Sequence, residues 1–382
     1  MSAAKQDFSL ATFALLAALC AGCGPAKQVA NPNPSPATPE KPTPEKPAPE
    51  KPVATTKPEV KPAEPVKPAE PMPPAPTSSD LPTIAGRPLA DWIAEAGSDD
   101  DRLREAATAK LEELGPKGQE YLVTAIRHSS DTVRRGAAFA LLGRFDTQRE
   151  DQIKLFLTAL DDSDRRVRDI AMQALGRLDP GPLTQAEAAL VRRLKDPQET
   201  PALRGDAARR IARIGMASKE SVAVLGDRAQ NDGDAKVRLA CLYALQKVAT
   251  PAEGFPVFLA VFEKDRDPEV KRGAAKRLGD LGTDAAGAIS PLAATLDAAD
   301  AETAKSAADA LVRIGRDSVA EVTKQLSSPR NETKRLAIAV LAQYGPAAKA
   351  AVPALKNLAE KGEPAIRQDA INALSRIVPP TM

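Results

Sequence analysis

The 382-residue chain has one histidine, one tryptophan, three tyrosines and three cysteines, and aromatic residues make up 3% of it. That scarcity removes most chemistry before any motif is sought. A zinc-type site on His128 would need a second histidine or a nearby cysteine, and the sequence supplies neither. The ring sits beside Ser129 and Ser130 and reads as a surface group on a turn. Cys20 and Cys23 close an N-terminal apolar run, so the body keeps one thiol, Cys241, and has no internal disulfide. Cys241 stands where sister segments carry alanine, which makes it a small core residue. Charge of one sign is also missing, with 53 basic residues against 51 acidic ones for a net of +2. A nucleic-acid binder needs a domain-scale basic excess and stacking aromatics, so no nucleic-acid partner is expected. There is no nucleophile elbow, P-loop or dinucleotide fingerprint. Asp99-Asp100-Asp101 lacks the remaining ligands of a calcium loop and reads as a solvated turn. The chain is therefore expected not to be an enzyme and to hold no cofactor and no metal.

What is present begins with an address. Residues 8–19 form a mostly apolar run of twelve, shorter than the roughly 20 residues of a spanning helix and suited to a signal-peptide core. The run ends in Leu19-Cys20-Ala21-Gly22-Cys23, which resembles a bacterial lipobox. Ala21 and Gly22 fill the two positions before the acceptor cysteine, while Cys20 stands where leucine is usual. The resemblance implies cleavage after residue 22, a lipid on Cys23 and export to the cell envelope, on the periplasmic or outer-membrane side.

Residues 23–83 read as a tether. Nineteen of the chain's 35 prolines fall between Pro25 and Pro82, in phrases such as Pro39-Glu-Lys-Pro42 and Lys61-Pro-Ala-Glu-Pro65. Proline denies both helix interiors and sheet ladders, and too little apolar surface remains to offset ordering. Such a segment samples polyproline II and spans at most about 180 Å.

Residues 84–382 repeat. A phrase of apolar, basic, two variable residues and alanine recurs nine times, at intervals of 30 to 36 residues. The basic position is Arg104, Arg134, Arg168, Arg204, Arg238, Lys271, Lys334 and Arg367 in eight copies, and Ala304 in the seventh. Three residues on lies alanine (Cys241 in one copy), seven on lies leucine or isoleucine, and ten on lies, in most copies, a further apolar side chain. Offsets of −1, +3, +7 and +10 from the basic residue mark one face of a helix. Turn acids precede many copies, among them Asp131, Asp164, Asp234, Asp267 and Glu363, and suit helix N-caps. Gly115, Gly215, Gly282, Gly315 and Gly345 follow five copies, as left-handed C-caps would. A second helical pattern lies between copies, for example Gln119 to Arg127 and Gln152 to Leu160. Each unit is thus a two-helix hairpin of about 33 residues. Alone it buries too little and must stack on its neighbours. Phe255, Phe258 and Phe262 are assigned to the core, and Trp92 to the N-terminal end of the stack.

The phrases Asp131-Thr-Val-Arg-Arg-Gly-Ala-Ala-Phe-Ala-Leu-Leu-Gly143 and Asp267-Pro-Glu-Val-Lys-Arg-Gly-Ala-Ala-Lys-Arg-Leu-Gly279 resemble bacterial HEAT-like repeats of the phycobilisome-lyase type. Residues 84 to 378 share the likeness, whereas the tetratricopeptide and ankyrin signatures are missing. The resemblance implies an all-α solenoid of about nine repeats, in which the repeated basic residue and a turn acid form a ladder between units. It also implies that the second helices line the concave side. Offsets +1, +5 and +9 would then face outward there, and include eleven basic and five acidic residues. Phe139, Arg177, Arg209, Arg213, Tyr243, Lys247 and Lys276 are the candidate partner-binding residues of this mildly basic face. The functional expectation is a monomeric, non-enzymatic scaffold, anchored in the membrane by lipid, that binds a protein or an acidic envelope polymer. A chromophore-handling, lyase-like role and a purely structural envelope role are the alternatives.

Overall fold

The computed structural model describes residues 75–379. The signal segment, Cys23 and residues 23–74 of the tether lie outside the described residues. Within residues 77–83, which composition assigns to the tether, an exposed 3-10 turn covers Ser78–Asp80 and Leu81 is buried. A two-residue hairpin follows, β1 (Thr83–Ile84) with β2 (Arg87–Pro88), paired antiparallel.

Helices make up the rest. The first units are α1 (Leu89–Ala96), α2 (Asp101–Glu113), α3 (Gly115–Ala125), α4 (Asp131–Gly143), α5 (Glu150–Ala159) and α6 (Arg165–Leu175). The middle holds α7 (Pro180–Leu183), α8 (Glu187–Lys195), α9 (Pro201–Ile214), α10 (Lys219–Asn231), α11 (Ala235–Val248) and α12 (Pro251–Lys264). The last are α13 (Pro268–Asp280), α14 (Ile289–Thr295), α15 (Ala301–Ile314), α16 (Val319–Lys324), α17 (Asn331–Tyr344), α18 (Val352–Lys361) and α19 (Pro364–Ile377). From α3 onward each unit pairs a first helix with a second helix that carries the repeated phrase. The second helices stack on one another, α9 on α11, α13 on α15 and α17 on α19. The +3 residues Ala107 to Ala370, Cys241 among them, are fully buried and form the seam of the core. Cys241 is sealed there, and burial pushes its thiol far above the usual range. Phe258 and Phe262 are buried and Phe255 packs, partly buried, against the core, as expected of core side chains.

Helix ends follow the sequence closely. All five C-terminal glycines adopt positive φ, between 54° and 99°, where a side chain would strain the backbone. Asp164, Asp234 and Asp267 accept backbone N–H groups as N-caps. Asp131 does not; Ser130 is the cap residue, and Asp131 accepts from Arg135 instead. Glu363 sits at a cap position but accepts from the Asn331 amide.

The first copy departs from the stack. Leu103, whose counterparts are buried, is 44% exposed, and the inner neighbour of α4 is α1 rather than α2. Gly97 and Gly136 allow this, because a Cβ on Gly136 would fall 1.5 Å from the Ile93 carbonyl oxygen. Trp92 lies half-buried on α1 with the Arg87 guanidinium 4.6 Å from its ring centre.

Four of the repeated arginines form the ladder. Arg134 grips Asp162, Arg168 grips Glu199, Arg204 grips Asp232 and Arg238 grips Asp265, with N–H···O distances between 2.6 and 3.0 Å. Each acid belongs to the following unit and also accepts a backbone N–H of its own turn, such as Asp234 onto Asp232 at 3.0 Å. Each arginine in turn donates Nη1 to a carbonyl of its own turn, so Asp162 receives Arg134 on its carboxylate and Arg168 on its carbonyl. Desolvation raises the Asp232 carboxyl, but Arg204 and the Asp234 N–H outweigh it and hold the group below the usual range. The ladder stops at Asp265. Lys271 reaches only the Glu263 carbonyl, and Ala304 has nothing to donate.

His128 stands at the ladder's other end, and the reading of it as a surface group is corrected here: it is 3% exposed. Its Nδ1 accepts from the Ser130 N–H at 3.0 Å, the bond that the carboxylates of Asp162 and Asp232 accept in later turns.

Candidate binding face

The outward positions of the second helices hold the candidate residues, and their partners sort them. Arg177, in the turn just after α6, donates to the Leu142 carbonyl at the end of α4, 2.7 Å away. Arg213 on α9 donates to the Gly176 carbonyl at the end of α6 and to the Leu178 carbonyl in the turn beyond it, at 2.6 and 2.7 Å. Carbonyls at a helix C-terminus lack intrahelical donors and carry the negative end of the dipole. Arg177 and Arg213 therefore cap the preceding unit. Arg209 is held by Asp206 one turn earlier, at 2.7 Å. Other basic residues of this face are neutralised between units: Arg135 by Asp164, Arg272 by Asp300, Arg313 by Asp280 and Arg335 by Asp369.

The aromatic candidates are both on the surface, Phe139 at 38% and Tyr243 at 43% exposure. They sit on α4 and α11, three units apart, so they do not form one site. Arg104 reaches over the Phe139 ring, 5.8 Å from its centre. Tyr243 has two cations against its ring, Lys247 Nζ at 5.7 Å and the Arg277 guanidinium at 5.8 Å. Lys276 is exposed beside Arg277 and, like Lys247, has no ion-pair partner within 4 Å among the described residues. A depression of about 460 Å³ opens next to it, lined by Leu239, Arg272, Gly273, Lys276, Asp309 and Arg313. Tyr243, Lys247 and Arg277 thus form a cluster in which exposed aromatic surface meets two cations, Lys247 with no carboxylate within 4 Å among the described residues and Arg277 at 3.9 Å from Asp280, and Lys276 adjoins Arg277 in the chain.

Sequence reasoning missed Arg277. It lies at offset +6, where Ala140, Ala174, Ala244, Ala310 and Ala373 stand in other copies, and only Arg210 shares the exception among the middle units. Burial lowers the basicity of both guanidinium groups, and in each the Nε is buried without a hydrogen-bond partner. A long cation replacing a stacked alanine was the available signal.

A sequence profile of HEAT repeats matches residues 89–176, 153–246 and 319–381, more than half of the chain. The chain belongs to the HEAT-repeat family. No curated protein matches its sequence. Among solved structures, an engineered protein is similar at 20% identity and a TM-score of 0.43, covering 76% of this chain and 88% of its own. Kap121p is similar at 16% identity and a TM-score of 0.42, over 78% of this chain, which spans 42% of that one. The complex of CpcE and CpcF of phycocyanin lyase from Nostoc sp. PCC7120 matches at 21% identity and a TM-score of 0.35, over 59% of this chain and 93% of that one. Within this HEAT stack no group of three or more His, Cys, Asp or Glu side chains is placed to hold a metal ion among the described residues. No helix among them is long and apolar enough to cross a membrane.

Proposed function

We propose that this HEAT-repeat chain is a non-enzymatic scaffold that captures an acidic protein segment on its second-helix face, centred on Tyr243. Lipid on Cys23 and the proline-rich tether hold it at the cell envelope. The observation that carries the reading is the half-exposed Tyr243 ring, flanked at 5.7 and 5.8 Å by Lys247 and Arg277, with the exposed Lys276 next to Arg277 in the chain. Aromatic rings are frequent anchors of protein interfaces, and cations without carboxylate partners draw acidic segments and fix their register. The spread of charge narrows the choice, because Arg177 and Arg213 are committed to helix ends and Arg135, Arg209, Arg272, Arg313 and Arg335 to nearby acids. Cys241 is too deeply buried to attach a chromophore, which argues against a lyase-like role through that thiol. The lipobox-like Leu19-Cys20-Ala21-Gly22-Cys23 supports the anchor, and mass spectrometry of the mature N-terminus tests it.

Binding is tested with a fluorescent peptide rich in glutamate and carrying one aromatic residue. Tyr243→Ala together with Lys247→Glu and Lys276→Glu should weaken capture at least about tenfold, roughly 1.4 kcal/mol. Arg213→Glu should instead loosen the junction of α6 and α9. Equal affinity of the triple variant and the parent would remove the acidic-segment reading and leave a structural envelope role.

A further inference from the structure

The end of the stack carries a short strap whose fastening differs from every other junction. The Ser129 N–H donates to the Pro76 carbonyl at 3.1 Å, and Ser78 Oγ lies 3.3 Å from His128 Nε2. Asp80 closes the strap on itself by accepting from the Thr77 N–H and hydroxyl. Leu81, buried, pins its far end.

The imidazole occupies the place that a carboxylate holds in later turns, and the difference is chemical. Asp162 or Asp232 needs an arginine from the preceding unit. His128 has none, because Arg104 turns back to the Ser98 carbonyl and to Asp101. Since Nδ1 accepts from the Ser130 N–H, it carries no proton, and the single imidazole hydrogen sits on Nε2, where it can donate to Ser78. A proton added to Nδ1 would set one N–H against another in a buried place.

We propose that residues Pro76–Asp80 form a releasable clamp on the end of the HEAT stack, held while His128 is neutral and let go when its ring becomes an imidazolium. Leu81 is the hinge, and release adds about 15–20 Å of polyproline-type reach to the chain that precedes it. The charged groups facing the ring are Asp80 on the strap and Arg134 on α4, whose Nη1 donates to the His128 carbonyl at 2.9 Å while Asp162 holds its other edge. Burial first, and Arg134 second, lower the basicity of the imidazole, against a smaller opposing pull from Asp80. The direction follows. The clamp is fully held above the ordinary histidine range, about 6.5, and is lost as pH falls through the lowered value below it.

His128 is the sole histidine of the chain, so its ring signals can be followed without assignment in the untagged full chain. Proton exchange at the Ser129 amide reports the clamp. After correction for intrinsic rates, its protection should fall about tenfold or more between about pH 7.5 and pH 5, along the His128 titration curve. His128→Asn keeps an acceptor for the Ser130 N–H but does not titrate, and its protection should stay constant within about twofold. Protection that stays flat in the parent while His128 titrates would overturn the proposal. So would an Asn variant that loses protection along the parent's curve. Should the Asn variant fail to dock the strap at neutral pH, the parent's two curves decide alone.

Discussion

Two stretches of the same stack are fastened differently. From Asp131 to Asp267 the junctions carry arginine–carboxylate pairs, both partners nearly sealed from water: the Arg204 side chain is 10% exposed and that of Asp232 1%. From Asp297 onward the repeated basic position no longer reaches the next unit's turn acid and hydroxyls take over there, while the outward Arg335 still pairs with Asp369. Thr333, fully buried, donates to Asp297 at 2.6 Å; Ser328 donates to the same carboxylate; and the Tyr344 hydroxyl donates to the Leu311 carbonyl. The apolar seam is the same in both, with Ala274, Ala307, Ala337 and Ala370 as buried as Ala171 and Ala207. The seam therefore sets the architecture, and the polar fastening is interchangeable. Its cost on rupture is not. Removing one member of a sealed ion pair strands a charge, whereas removing one member of a hydroxyl–carboxylate bond at a wetter turn strands little.

The sharpest break in that comparison is Asp232→Ala, which leaves the Arg204 guanidinium buried and uncompensated. It should cost about 3–5 kcal/mol, read as lost amide protection in α9 and α11 while α17 and α19 keep theirs. Acid should act next in size and in the same region. The Asp232 and Asp265 carboxyls are held below the usual range, desolvation being outweighed by their arginines and turn N–H groups. Their contribution is thus complete above about pH 4 and lost as pH falls through the depressed values. Urea midpoints recorded by exchange should drop more for the turns at Asp232 and Asp265 than for the turn at Tyr344. Smallest is Thr333→Val, which removes the bond to Asp297 but keeps shape. It should cost about 1 kcal/mol and stay confined to α17 and its first-helix neighbour. If Thr333→Val cost as much as Asp232→Ala, the distinction between the two fastenings would collapse.

The stack itself was legible because one residue in four recurs at fixed offsets, and because glycine at a helix end has a single backbone use. The ladder's extent was not. Arg104, Lys271 and Arg367 look like Arg134 in sequence, yet pairing depends on whether an acid waits one unit on, about 28 residues away in the ladder stretch. The first copy misled for a related reason. Leu103 has the right spacing, but the close contact between Gly97 and Gly136 gives the place beside α4 to α1, and periodicity does not record such contacts. On the binding face, Phe139, Tyr243, Lys247 and Lys276 are exposed as their offsets implied. Arg177 and Arg213 look equally free in sequence, since the carbonyls they cap become visible only when helices lie side by side.

One feature of the ladder bears on how such a chain can change length. Asp162 offers its carboxylate to the arginine of the preceding unit and its carbonyl to the arginine of its own, and Asp232 does the same, so these two rungs present the same donors and acceptors. Excising residues 168–203 would bring Arg204 to the carbonyl that Arg168 now uses, with Asp232 still waiting beyond. That excision would remove Arg168 and Glu199 together and leave no sealed ladder charge without a partner, the losses falling on exposed pairs such as those of Asp161 and Glu220, so this is the stretch where a unit is most readily removed.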